Sequence, residues 1–405
     1  MILKFKSVAT AFSAAFLLLG FHDVCAQTYI PVSFSVVDTA VFQDAAHHWY
    51  DIFEKERVIN PQKERPRYKP TQLSLIADNI VLYQKNNGGW PKNYDMLAIL
   101  TPEQKDSLIK AKDQENTTFD NQNTYSQIAC LAKIYFVTKS EEYKKAALKG
   151  LDYILAAQYS NGGWPQYYPL QKNYSRFITY NDDVFSGVMK LLKDIRDNKL
   201  QYNFIDDNRR EKLAKAFDKG IQCILKTQLN SRSNYTAWGQ QYDEKSLMPV
   251  WARSFEPPAI SNSESADVTL LLMSINKPDK KVIAAVQNAV KWFNASKILG
   301  TRVETVQAQL DTNEYTISKN DKTVIRDEFA APIWARYHEL KTHRPLFCDR
   351  GQKIVYSLAE VSRERRDGYA WYTYEPQKVL NRYHVWQKKW APEENVLEEQ
   401  MVAKE

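Results

Sequence analysis

From Thr71 onward the apolar positions fall into a helical rhythm. Leu73, Ile76, Ile80 and Tyr83 line one stripe of LSLIADNIVLYQK, and the stripe stops at NNGGW. YKKAALKGLDYILAAQ repeats the pattern and stops at SNGGW. Between them TYSQIACLAKIYFVT forms a second helix, and DVFSGVMKLLKDIRD is its later counterpart. The turn itself recurs: NNGGWPKNY from Asn86 to Tyr94 returns as SNGGWPQYY from Ser160 to Tyr168, and in altered form as YTAWGQQYD from Tyr235 to Asp243. Trp90, Trp164 and Trp238 are 74 residues apart each time. A fixed period of this kind marks repeated units, each unable to bury its apolar face without its neighbours. Each unit is a helix, a Gly-Trp-Pro turn, a polar loop and a returning helix. Short links make consecutive helices antiparallel, and three such hairpins predict an all-α-dominated (α/α)3 toroid, an incomplete α/α barrel. The turns then gather on one rim with the polar loops TTFDNQNT and RFITYNDD. In each turn Gly is expected to take a positive φ and Pro to stop the helix. The tryptophans either plug the ring, the better-supported use, or form a rim platform for a ring-shaped ligand, for which Trp164 is the candidate.

Outside the repeats the pattern changes. Gly300 to Ile325 alternates, predicting a small β-hairpin insertion that turns at Lys319 to Asp321, with helix resuming at APIWARYHELK. Residues 27–70 show no sustained period and read as an N-terminal extension wrapping the domain. The first 26 residues have a basic start (Lys4, Lys6), an apolar run from Val8 to Phe21 and small residues at Val24 and Ala26, the pattern of a secretory signal peptide. Cys25 does not make a lipobox, because His22 stands where Leu is wanted. The expected plan is a signal peptide over 1–26, the extension over 27–70, a toroid over 71–390 and a tail over 391–405. No later stretch reaches the ~20 apolar residues of a spanning helix, so a secreted or periplasmic protein without membrane insertion is expected.

Composition narrows the partner. The chain has 405 residues, 44% of them hydrophobic and 25% charged, an ordinary globular balance, with a formal net charge of +7 that becomes +6 after loss of the leader. A basic exported protein implies an acidic partner such as nucleic acid, anionic lipid or an acidic polysaccharide. Nucleic acid fits least, because the basic residues are dispersed. Cys130, Cys223 and Cys348 remain after cleavage and read as buried thiols.

The polar loops hold the candidate chemistry. Asp120 in TFDNQNT, with Asp182 and Asp183 in TYNDD, offers hard oxygen ligands next to helix starts, where N-capping is the competing use. Two acidic loops at equivalent places in consecutive repeats favour a shared metal site. PVWARSFEPPAISNSES holds Arg253 between Trp251 and Phe255, followed by Glu256, which leaves it either aimed or in an ion pair with a nearby acid. Arg336, Arg344 and Arg350 form a later basic cluster suited to bidentate grip of carboxylates.

Together NGGWPKN, TFDNQNTYSQI, NGGWPQYYPL, ITYNDDVFSGVMKLL, WGQQYDEKSLMPVWARSFEPPAISNSES and WARYHELKTHRPLFCDRG resemble the pectate lyases of polysaccharide lyase family 10, over roughly Ile76 to Tyr372. The resemblance implies an (α/α)3 toroid that cleaves polygalacturonate by Ca²⁺-dependent β-elimination. On it, Asp120 and Asp182 are acids of the catalytic cleft that engage Ca²⁺, with Asp183 beside them. Arg253 is the Brønsted base, and Arg336 and Arg350 grip substrate carboxylates. Lys245 is a further substrate-binding candidate and the next choice of base. A monomer is the expected state. Removing the C5 proton of a uronate builds charge beside a carboxylate, so cations must absorb it. Arginine holds its proton tightly, so crowding by cations is expected to lower its pKa and place the optimum at alkaline pH. Two other classes compete: a metal-independent glycoside hydrolase using Asp120 and Asp182, and a non-catalytic module that binds acidic polysaccharide.

Overall fold

The computed structural model describes residues 34–51, 58–59, 65–229, 237–313 and 317–398, so the expected signal peptide lies outside the described residues. Eleven helices are described: α1 Gln43–Asp51, α2 Leu73–Tyr83, α3 Pro102–Lys110, α4 Tyr125–Thr138, α5 Glu141–Ala157, α6 Val184–Arg196, α7 Asp207–Thr227, α8 Asn262–Met273, α9 Lys280–Ser296, α10 Arg363–Asp367 and α11 Glu375–Trp390. The helices expected within the repeats fall where the apolar stripes placed them. Three hairpins, α4/α5, α6/α7 and α8/α9, stand between α2 and α11. Lys139, left-handed at φ 58°, ends α4 and lets α5 begin two residues later in the opposite sense.

Helices α4, α6 and α8 are buried on most of their surface, whereas α5, α7 and α9 each keep an exposed face. The first set is therefore the inner layer and touches in succession through to α11. The second, with α2, forms the outer layer, again in succession. The result is the α/α toroid that the repeat predicts.

Each outer helix ends on the same device. The indole of Trp90 donates to the carbonyl of Ile80 at 2.7 Å, that of Trp164 to Ile154 at 3.0 Å and that of Trp238 to Ile224 at 2.8 Å. Each acceptor lies three residues before the end of its helix. The Ile80 and Ile224 carbonyls also accept the backbone N–H of Gln84 and Gln228, so there the indole is a second donor on the last helical hydrogen bond. Trp334 does the same for Phe293 of α9 at 2.8 Å, so the pattern extends to a fourth position. Glutamines at the helix ends then stitch neighbours together. Gln84 donates to Ala146 of α5, Gln158 to Ala216 of α7 and Gln228 to Ala285 of α9, at 2.8–2.9 Å. The turn glycines serve the same approach. At Gly88 (φ +99°) and Gly162 (φ +98°) a Cβ would lie 2.4 and 2.0 Å from the carbonyl oxygens of Lys149 and Lys219 on the next outer helix.

All three repeat tryptophans are fully buried, which corrects the platform expectation for Trp164: its ring packs edge-on against Phe185 at 5.3 Å, out of reach of any saccharide. The insertion is present as Thr301–Thr312 paired with Ile317–Arg326, but Lys319 to Asp321 lie within the second strand, not at the turn. APIWARYHELK does not resume helix. Trp334–Ala335 pairs with Tyr372–Thr373, and Tyr337–His338 joins a four-stranded antiparallel sheet with Ile260–Ser261, Pro345–Asp349 and Lys353–Val355. That segment is a short, nearly continuous buried run, Ile333, Trp334, Ala335 and Tyr337 all being fully buried, and sheet neighbours claimed it. The extension also contains α1, which its short length concealed. Cys130, Cys223 and Cys348 are free and buried. Among the described residues no helix is long and apolar enough to cross a membrane.

If the indole latch holds the repeat, Trp164→Phe strands a buried carbonyl and lowers stability by about 1–3 kcal/mol from that loss alone. Urea denaturation measures it, and an unchanged midpoint would show the Ile154 carbonyl finding another partner.

Candidate active site

Every outer-to-inner crossing passes over one rim, and the inner helices start there. The approach to α4 is forced into left-handed backbone at Asn121, Gln122 and Thr124 (φ 53°, 62° and 69°), and that to α6 at Asp182 and Asp183 (φ 52° and 57°). Non-glycine residues hold such angles only where surroundings dictate them, at a cost of about 1–3 kcal/mol each. Buried amide bonds do so here: Asn123 Nδ2 donates to the Asp120 carbonyl at 2.7 Å, and Gln127 Nε2 to Asn123 Oδ1 at 3.1 Å.

Asp120 is buried. Its Oδ2 accepts from Lys92 Nζ at 2.8 Å, while Oδ1 has no hydrogen-bond partner. Burial opposes its charge, but the Lys92 ammonium outweighs burial and keeps the carboxyl below the ordinary aspartate range. Asp182 is the opposite case. Burial, then the charge of Asp120, push its pKa up to about 8. Asn181 Nδ2 donates to Asp182 Oδ2 at 2.8 Å, and Arg253 Nη2 stands 3.8 Å from that oxygen.

Arg253 makes a two-pronged pair with fully buried Glu256, Nε to Oε2 at 2.7 Å and Nη2 to Oε1 at 2.5 Å, and lies over the Phe255 ring at 5.4 Å. Burial pulls against the guanidinium, yet Glu256 and then Asp182 hold its pKa well above the usual arginine value. This departs from the expected lowering by crowded cations, because the nearest charged groups are acids. The network continues: Tyr369 donates to Glu256 at 3.0 Å, Tyr337 to Gln240 at 2.6 Å, and the two tyrosine hydroxyls meet at 2.7 Å. Arg336 Nη2 binds Glu264 Oε1 at 2.5 Å, and its guanidinium lies over Tyr369 at 4.7 Å. Arg350 stands beside Phe255 at 5.3 Å with its fork on Glu364 at 3.0 and 3.1 Å.

Asp120, Asp182, Arg253, Arg336 and Arg350 are thus brought to one rim, and three other candidates are not. Asp183 directs its carboxylate to Ser186 Oγ at 3.2 Å and lines a separate cavity of about 270 Å³ between α4, α6 and residues 34–41, which corrects its place in the metal set. Consecutive left-handed residues point their side chains apart. Lys245 lies in an exposed turn organised by Asp243, and none of the contacts above includes it. Arg344 is exposed and stacks on Tyr356 at 3.7 Å.

Several rim residues escaped the sequence reading. Lys92, Gln166 and Gln240 each stand two places after a latching tryptophan, as does the already named Arg336, so one register delivers one polar side chain per repeat to the rim. The period was visible, and counting two residues past each Trp would have found Lys92. Glu264, Tyr337 and Tyr369 carried no such signal.

Among the described residues no cluster of three or more His, Cys, Asp or Glu is set to hold a metal ion. The available donors are the unpartnered Asp120 Oδ1, the Asp182 carboxylate and the unpartnered Oε1 of Gln166, hard oxygens of the kind Ca²⁺ takes.

Fold and rim define an α/α toroid with paired carboxylates and arginines at the mouth. The pectic acid lyase family model matches residues 84–380, and the chain belongs to that family. Among solved structures it is similar to a family 10 polysaccharide lyase from Cellvibrio cellulosa, at 28% identity and TM-score 0.64, covering 77% of this chain and 91% of that one. An alanine mutant of the Cellvibrio family 10 lyase in complex with trigalacturonic acid aligns with TM-score 0.67 at the same identity, over 77% and 92%. No curated protein matches closely enough to count as a relative. The protein is a polysaccharide lyase.

The Arg336–Glu264 pair gives Arg336 a structural role. Arg336→Ala leaves Glu264 charged and unpaired, at about 3–5 kcal/mol. Adding Glu264→Gln should restore much of the urea midpoint but not substrate affinity. Equal recovery of both would remove Arg336 from substrate binding.

Proposed function

We propose that this lyase cleaves polygalacturonate by calcium-assisted β-elimination, giving unsaturated oligogalacturonides, with Arg253 as the base. The observation that carries the reading is the meeting of Asp120 and Asp182 with Arg253 and Arg336 on a single rim of a pectic acid lyase fold. The two carboxylates fit a dication: one keeps a buried oxygen without a partner, and the other is pushed toward neutrality by the first. Ca²⁺ held by Asp120 and Asp182, with the Gln166 amide oxygen near, would offset the uronate carboxylate and the charge that grows beside it at C5.

The chain's own residues supply the rest. Lys92 keeps Asp120 ionised. Glu256 grips Nε and Nη2 of Arg253, so the guanidinium plane is fixed while Nη1 is left out of that pair. Arg336 and Arg350 take the carboxylates of neighbouring sugars, each held in orientation by Glu264 and Glu364. The C5 proton passes to an Arg253 nitrogen, its electron pair forms the C4–C5 double bond, and the C4–O bond breaks with its electrons on the oxygen, which takes a proton from solvent and leaves as a hydroxyl of the adjoining sugar, no water being added across the bond. Arg253 accepts a proton only in its neutral form, and Glu256 resists that form, so turnover belongs at alkaline pH. Export after cleavage near Ala26 and a monomeric state accord with the leader-like N-terminus and a polymeric acidic substrate. The hydrolase alternative has lost its footing with the family assignment.

Arg253→Ala should abolish kcat while oligogalacturonate binding, measured by calorimetry, persists. A variant keeping a substantial share of wild-type kcat at alkaline pH would place the base elsewhere. Wild-type enzyme incubated with polygalacturonate should develop the ultraviolet absorbance of unsaturated uronate and lose that activity in chelator, recovering it with Ca²⁺. Full activity in chelator would remove calcium from the reaction.

A further inference from the structure

The β-hairpin insertion supplies no group to the rim, yet its second strand grips a segment that does. Neither of its strands buries a residue, and a two-stranded hairpin without a core is marginal by itself. Helix α10 is no more secure, since five residues are too few for a helix to hold its own shape. Polar contacts join the two. Asp321 takes the Arg366 guanidinium in a two-pronged pair, Nε to Oδ1 and Nη2 to Oδ2, both at 2.7 Å. Arg363 Nε donates to the Asn320 carbonyl at 3.0 Å, and its Nη2 to the Gln309 carbonyl at 2.5 Å, within the stretch where the hairpin pairing shifts register. Ser318 Oγ donates to Asp367 at 2.7 Å, and Lys322 Nζ to the carbonyls of Asp367 and Tyr369 at 2.6 and 3.2 Å. Away from the hairpin, Ser362 Oγ donates to Asp349 and the Trp371 indole to the Arg365 carbonyl.

Between these grips lies Glu364, the one buried residue of α10. Its carboxylate takes the fork of Arg350 at 3.0 and 3.1 Å and also pairs with Arg365, and both guanidiniums lie over the Phe255 ring, at 5.3 and 4.5 Å. A carboxylate on so short a helix aims an arginine only as well as the helix itself is held. About a fifth of each side chain in the Asp321–Arg366 pair is exposed, so the pair adds little stability, and its use is geometric. We propose that Asp321 is a positioning residue for Arg350: through Arg366 the hairpin clasps α10, and α10 thereby fixes the Glu364 carboxylate that orients the Arg350 fork. What Arg350 grips rests on the polygalacturonate reading above.

Asp321→Ala should raise KM for oligogalacturonate by about threefold to tenfold and leave kcat nearly unchanged. In an Arg350→Ala background the same change should add nothing, because the arginine it aims is gone. A merely structural brace would instead lower the urea midpoint and cost activity alike in both backgrounds. Equal rises in KM in both backgrounds, or no rise in the otherwise wild-type enzyme, overturn the proposal. A second measurement needs no substrate: solvent exchange of the Arg350 Nε–H, followed by nitrogen-15 NMR and assigned by its loss in Arg350→Ala, should quicken in Asp321→Ala. Unchanged exchange overturns the proposal. If the wild-type enzyme neither binds nor cleaves polygalacturonate, the substrate reading falls, while quickened exchange still supports the clasp and unchanged exchange still removes it.

Discussion

The arrangement of this molecule depends on one hydrogen bond made repeatedly: an indole N–H donating to a carbonyl near the end of an outer helix. Helix ends leave carbonyls without partners, and burying them unpaired is costly. A tryptophan that donates to one of these terminal carbonyls, alone or beside a backbone N–H, while filling the space between layers fixes where the helix stops and where the chain crosses. The residue two places on then arrives at the rim in every repeat. Lys92, Gln166, Gln240 and Arg336 owe their common position to that latch rather than to any contact among themselves.

Charge at the rim is organised by the same crossings. Asp120, Asp182, Glu256 and Glu264 stand against Lys92, Arg253 and Arg336, with the Arg350–Glu364 pair alongside. Glu256 and Glu264 each hold an arginine, and Asp120 holds a lysine. Asp182 alone of these four has no cation closer than 3.8 Å, and burial, then the charge of Asp120, raise its pKa. A rim so balanced accepts added positive charge near Asp182 readily, while its arginines remain fixed and oriented. Buried pairs of this sort are poor sources of stability, because desolvation offsets their attraction. Their use lies in geometry.

Much of this was legible in the sequence. Leu73, Ile76, Ile80 and Tyr83 announce α2 because a helical stripe depends only on local spacing, and the 74-residue period of Trp90, Trp164 and Trp238 announces the toroid because each unit needs its neighbour. Asp120, Asp182 and Arg253, whose side chains meet at one rim, could be singled out as candidates because they sit in unusual polar loops of a repeated and family-like pattern. Trp334 was read as part of a helix, since the hairpin insertion breaks the period before it.

What only the tertiary structure decided is direction and partnership. Neighbouring aspartates with like backbone angles point to different places, so Asp182 meets Arg253 while Asp183 lines another cavity. Trp164 has the composition of a sugar platform, but the adjoining layers enclose it. Glu256 follows Arg253 closely in sequence, yet its complete burial, and hence its hold on the arginine proton, comes from the sheet and loops folded over it. Local spacing determines which residues form an element and which approach the rim. Burial and the distance between charges are properties of surfaces brought together from remote parts of the chain, and they set the chemistry each residue can perform.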